Sequence, residues 1–130
     1  MRALLPPGWP RPKGYSNGIE AQGRMIFTAG VVGWDEAERF TSHTLTGQFE
    51  QVLKNTLAIL GEAGAGPEHI ARMTCYVTDI ETYRSSLRDI GAAWKEIIGP
   101  HFPAMALVGV SDLVEPEALI EIETTAVVPQ

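Results

Sequence analysis

Only two stretches of this chain space their apolar residues at threes and fours, and both are set among short runs rich in β-branched and aromatic residues. That arrangement limits the fold more than any other feature. The first stretch starts near Thr46 and puts Phe49, Val52, Leu53, Thr56, Leu57, Leu60 and Ala63 on one helical face, with Glu50, Gln51, Lys54 and Asn55 opposite. Gly61, Gly64, Gly66 and Pro67 end it. The second carries Leu87, Ile90, Ala93, Trp94 and Ile97, takes Asp79 or Thr82 as its cap, and closes at Gly99-Pro100.

The strand-like runs are Tyr15 to Ala21, Arg24 to Gly30, Ile70 to Thr78, Ala104 to Val110 and Ala118 to Val128. Gln22-Gly23 reads as a hairpin turn between the first two, and Glu115-Pro116-Glu117 as the turn before the last. Met25 to Ala29 is almost wholly apolar, which suits a strand buried on both faces. Gly30 to Phe40 reads as a loop with an aromatic, Trp34, in an unusual place. The order β-β-α-β-α-β-β gives two helices for about five strands, so both helices are expected on one face of a mixed sheet, an α+β sandwich of two layers. The other face is then bare, and another copy of the chain is its simplest cover.

Residues 1–130 are expected to form one domain, long enough to bury a core without metal or disulfide support. Met1 to Lys13 holds four of the nine prolines and is expected to be an irregular arm pinned by Trp9. A formal charge of -6 has the wrong sign for neutralising phosphates over a broad surface, which argues against nucleic acid as a partner. No run of about 18 apolar residues is present to span a membrane. With a single cysteine, Cys75, and no signal-like apolar run at its start, the chain reads as cytoplasmic.

No phosphate-binding, nucleophile-elbow or zinc motif occurs. His43, His69 and His101 show no ligand spacing, so no metal is expected. Cys75 lies in an apolar strand and reads as a small buried hydrophobe. Glu121 is more informative, because it is a carboxylate inside the apolar run Leu119 to Glu123. Alternation alone puts Glu121 and Glu123 on a solvated sheet face. A carboxylate in a cleft would instead orient a water or shuttle a proton.

The G-Y-S-N-G of Gly14 to Gly18, the F-T-A-G of Phe27 to Gly30, the F-P-A of Phe102 to Ala104 and the I-E-I-E of Ile120 to Glu123 resemble, in order and spacing, the RidA/YjgF reactive-intermediate deaminases. The resemblance runs over nearly the whole chain. It implies a chorismate-mutase-like fold, a homotrimer with ligand clefts between subunits, and cofactor-independent hydrolysis of a small enamine or imine metabolite with release of ammonia. By the same resemblance Tyr15 is a catalytic cleft tyrosine, Glu121 holds the attacking water, Gly30 contacts substrate through its backbone, and Leu107 stands where many members have cysteine. Phe102 is a candidate cleft wall, as is Trp34 from its place after Gly30. Met105 departs from the pattern, since the family's deaminases have an arginine there that grips the substrate carboxylate. A substrate other than a standard 2-imino acid is therefore expected, or an arginine from elsewhere such as Arg24, Arg72 or Arg88. The alternative is a trimer that binds a metabolite without turning it over; an endoribonuclease fits the charge less well.

Overall fold

A computed structural model describes all 130 residues. In chain order the elements are β1 (Arg2–Ala3), β2 (Ile19–Glu20), β3 (Arg24–Phe27), β4 (Val31–Val32), α1 (Leu45–Gly61), β5 (Ile70–Val77), α2 (Ile80–Ser85), α3 (Leu87–Ile97), β6 (Ala104–Gly109) and β7 (Ile120–Val128). The main sheet runs β3-β7-β5-β6, with β4 also paired to β7. β5 and β6 are parallel, joined through α2 and α3, and the other pairs are antiparallel. The expected mixed α+β sheet is thus present.

The core follows from alternation. Met73, Cys75 and Val77 of β5 and Ile120, Ile122 and Ala126 of β7 are buried with Phe49, Val52, Leu53 and Leu60 of α1 and Ile90, Ala93 and Trp94 of α3. Their strand neighbours Arg72, Thr74 and Tyr76, and Glu121, Glu123 and Thr125, must point to the opposite face, which no helix covers. Thr44 caps α1, its hydroxyl accepting from the Gly47 N–H at 3.1 Å. The fully buried Gln48 binds α1 to the turn before β7. Its amide donates to the Ser42 and Glu117 carbonyls at 3.1 and 2.9 Å and accepts from the Leu119 N–H at 2.7 Å.

Several local expectations are corrected. The chain from Tyr15 to Ala21 pairs as strand at Ile19–Glu20, whose partner is Arg2–Ala3, and otherwise makes a single parallel bridge from Ser16 to Ala104 of β6, so Gln22-Gly23 does not close a hairpin. Gly23 instead turns the chain with a φ of 148°, where an added side chain would strike the Val128 backbone that β3 pairs with. The arm is held by that β1–β2 pairing and by the Leu4 N–H donating to the Gly18 carbonyl at 2.9 Å, while Trp9 stays 59% exposed. Met25 and Phe27 are 57% and 68% exposed, because β3 is covered on its helix side only. Four residues lead from Phe27 to Val31 but three separate their partners Thr125 and Ile122, so β3 and β4 are one strand interrupted by a bulge, where a plain loop was expected. The second helix breaks at Ser86, because the Ser85 and Ser86 hydroxyls donate to the Thr82 carbonyl at 3.1 and 2.7 Å and replace helix bonds there. Asp79 caps the first piece.

Candidate active site

β6 forms one edge of the sheet, and its helix-facing residues Met105 and Leu107 are only partly buried. Met105 pairs with Met73 and Leu107 with Cys75, so both side chains point to the helix layer. There they form the floor of a cleft of about 1060 Å³, whose other walls include Leu87, Ile90 and Trp94 of α3. Tyr15 and Phe102 close one side of it. The Ser16 N–H donates to the Pro103 carbonyl at 3.0 Å and the Ser16 hydroxyl to the Phe102 carbonyl at 2.5 Å, which fastens the segment after the arm beside the start of β6. Ten of the sixteen lining residues are hydrophobic.

Glu121 is not in this cleft. It pairs with Tyr76 on the uncovered face, opposite to Cys75 and Ile122. A β-carbon on Gly30 would overlap the Glu121 carboxylate, so the carboxylate rests directly against the backbone at the β3–β4 bulge. Beside it the Tyr76 hydroxyl donates to Glu123 Oε1 at 2.7 Å. That bond, with some burial and the negative charges of both glutamates, raises the Tyr76 pKa and keeps the phenol protonated.

The sequence-derived site residues therefore fall into two groups. Tyr15, Phe102, Met105 and Leu107 share the cleft, and Gly30 and Glu121 meet on the other face of the sheet. Trp34 joins neither. Its ring packs on Phe40 at 5.8 Å, and its carbonyl accepts from Asn55 Nδ2 of α1 at 2.7 Å. None of the three arginines weighed as substitutes lines the cleft. Arg24 donates to the Ala63 carbonyl at 2.8 Å, and Arg72 is in register with Ala104 and Thr125 on the uncovered face. His43, His69 and His101 stay apart, and no group of three or more side chains suited to a metal is assembled. Burial pushes the Cys75 thiol up to about 12, which leaves it inert at neutral pH.

Lys13, Lys95 and Tyr83, which also line the cleft, and Tyr76 on the opposite face were not singled out by the sequence. Tyr76 was within reach, because alternation along β5 against the buried Cys75 and Val77 puts it on the Glu121 face. The lysines carry no such signal, since cleft walls drawn from an arm and a helix have no common period.

The family model described as Endoribonuclease L-PSP matches residues 10–128. A RutC family protein of Aquifex aeolicus is 34% identical over 128 residues, covering 98% of this chain and 99% of that one. The chain belongs to the RidA/YjgF family. Within that family the chloroplastic Reactive Intermediate Deaminase A of Arabidopsis thaliana is 32% identical over 91 residues, 69% of this chain and 44% of the relative. A Yersinia pestis protein of the conserved Rid family, YyfB, of unknown function, superposes with a TM-score of 0.86 at 32% identity, covering 98% of each chain. The sheet and helix layers described above are accordingly the chorismate-mutase-like α+β fold of the RidA/YjgF proteins. No helix is long and apolar enough to cross a membrane.

Proposed function

We propose that this RidA/YjgF protein is a cofactor-independent enamine or imine deaminase, working in the cytoplasm as a homotrimer, on a small intermediate that is not anchored at position 105 as a standard 2-imino acid would be. The observation that carries the reading is the Glu121 carboxylate resting against the Gly30 backbone beside the Tyr76–Glu123 hydrogen bond. A half-buried carboxylate in that setting is suited to hold a water and take its proton. The enamine gains a proton at carbon to become the imine, water adds to the C=N carbon, and the nitrogen leaves as ammonia after proton transfer, giving a carbonyl product. No electron leaves the system, so no redox partner is needed.

The cleft residues and Glu121 sit on opposite faces of one sheet, so a complete site calls for a second copy to bring its Glu121 face against the cleft. Bare apolar side chains at Met25 and Phe27 support such an assembly. Met105 removes a bidentate anchor for the substrate carboxylate, a hydrogen bond to a charged group of about 1.5 to 3 kcal/mol.

Ammonia release from 2-aminoacrylate generated in situ by a dehydratase tests the reading, with wild type, Met105→Arg and Glu121→Gln compared. Gain of activity in Met105→Arg, lost again by at least about a hundredfold when Glu121→Gln is added, is the expected result. Full activity in the Glu121→Gln protein overturns the assignment of the water-holding group.

The second reading, a trimer that binds a metabolite without catalysis, is favoured by the absence of any arginine from the cleft lining. It predicts thermal stabilisation by a ligand with no product formed. The ribonuclease description of the family model fits a chain of charge -6 less well.

A further inference from the structure

The charged groups around the cleft are unlike those of the chain as a whole. The sequence carries 16 acidic against 10 Lys and Arg residues. Yet the chain that forms the cleft contributes no acidic residue of its own to the lining, and the charged residues it does contribute are Lys13 and Lys95. One comes from the end of the arm and the other from α3, and both are exposed at the rim. None of the four ion pairs in the structure uses either lysine. Below them the walls that this chain supplies include Met105, Leu107, Leu87, Ile90 and the ring of Trp94, none of them charged.

We infer that the cleft selects a small amphipathic anion, its apolar or aromatic body against Met105 and Leu107 and its carboxylate at Lys13 and Lys95. The inference rests on the cleft being the ligand site of the proposed deaminase, and it moves the anchor from position 105 to the rim. The chemistry follows from the surroundings. An apolar pocket with a few convergent polar groups fixes a ligand's orientation through those groups. An ammonium on a flexible stem donates in three directions and accepts a carboxylate without the fixed fork of arginine, so it tolerates bodies of different length. A ligand with charge and no body leaves the apolar walls wet, and one with a body and no charge leaves both ammonium groups to water.

Calorimetric titration of the intact protein with 3-phenylpropionate, its uncharged amide and acetate tests this. The expected result is carboxylate binding at least about tenfold tighter than the amide, with no measurable binding of acetate. The double variant Lys13→Gln with Lys95→Gln is expected to erase that preference, and Lys13→Arg with Lys95→Arg to keep it. In wild type, raising salt from about 0.05 to about 0.5 M should weaken the carboxylate and leave the amide unchanged. Equal affinity for carboxylate and amide, a preference that survives the double glutamine variant, or failure of both aromatic ligands to bind because a second copy fills the cleft would each overturn the inference. Ammonia release by the same wild-type protein separates the two proposals: activity without carboxylate preference overturns the anchor alone, and preference without activity overturns the deaminase reading alone.

Discussion

Gly30 and Glu121 touch across the bulge that joins β3 to β4, with no room between them for a methyl group. Gly30 is not held there by a left-handed backbone, so its small size is what the position requires. The Gly30→Ala substitution should therefore push the carboxylate aside and leave the strand pairing in place. A fall of about tenfold to a hundredfold in kcat/KM for ammonia release is expected, with a melting temperature within a few degrees of wild type. Parallel kinetics and thermal melts check it. A large loss of stability at unchanged turnover would show that Gly30 serves the sheet and not the site.

Gln48 is a polar residue in the middle of an apolar helix face, and its amide satisfies three backbone groups of two other segments. Gln48→Leu keeps the volume and leaves the Leu119 N–H with no acceptor. The expected cost is about 3 kcal/mol. Denaturant unfolding at a fixed chain concentration measures it, and a change below about 1 kcal/mol would contradict the role given to this side chain.

The Cys75 thiol is pushed up to about 12 by burial, from 9.0 when solvated. The folded chain therefore holds its proton where the unfolded chain has lost it. The sign follows directly: stability from this group is fully present below about pH 9 and falls as pH rises from there toward 12. Cys75→Ala should flatten the alkaline limb of the stability curve. Native protein at pH 8 should also resist iodoacetamide until it is unfolded.

Phe27 is 68% exposed in a single chain, on the sheet face that lacks helices. If the proposed trimer covers that face, Phe27→Glu buries an unpaired charge at the contact and should weaken assembly by about 2 kcal/mol or more per chain. Sedimentation over a range of concentrations reads this out. Wild-type protein that stays monomeric, or a variant as trimeric as wild type, would place the contact elsewhere.

The fold was legible wherever burial imposes a period. Val52, Leu53 and Leu60 on α1, and Met73, Cys75 and Val77 on β5, are apolar because they face the same core, and their spacing says so. What was not legible came from contacts with no period. β4 is two residues long, and it forms because a bulge realigns Val31 and Val32 with β7. The break at Ser86 depends on two hydroxyls turning back to one carbonyl. Met105 could be placed because it follows Phe102-Pro103-Ala104 directly, and the structure puts it on the cleft floor. Trp34 was placed by nearness to Gly30, but the chain turns between them and the ring meets Phe40 instead. The separation of Glu121 from Met105 was readable in principle, since alternation along paired strands assigns them opposite faces, but it needed the β5–β6 and β5–β7 registers first.

The segment that carries Lys13 and Tyr15 to the cleft pairs with the main sheet only through the single bridge from Ser16 to Ala104; it is laced on at Leu4 and at Ser16 by backbone N–H donors that any residue but proline would supply. Changes there alter the mouth of the cleft without touching the residues that make the chain fold. Ligand preference in this architecture can thus drift between lineages at little cost in stability, and two relatives with superposable sheets need not share a substrate.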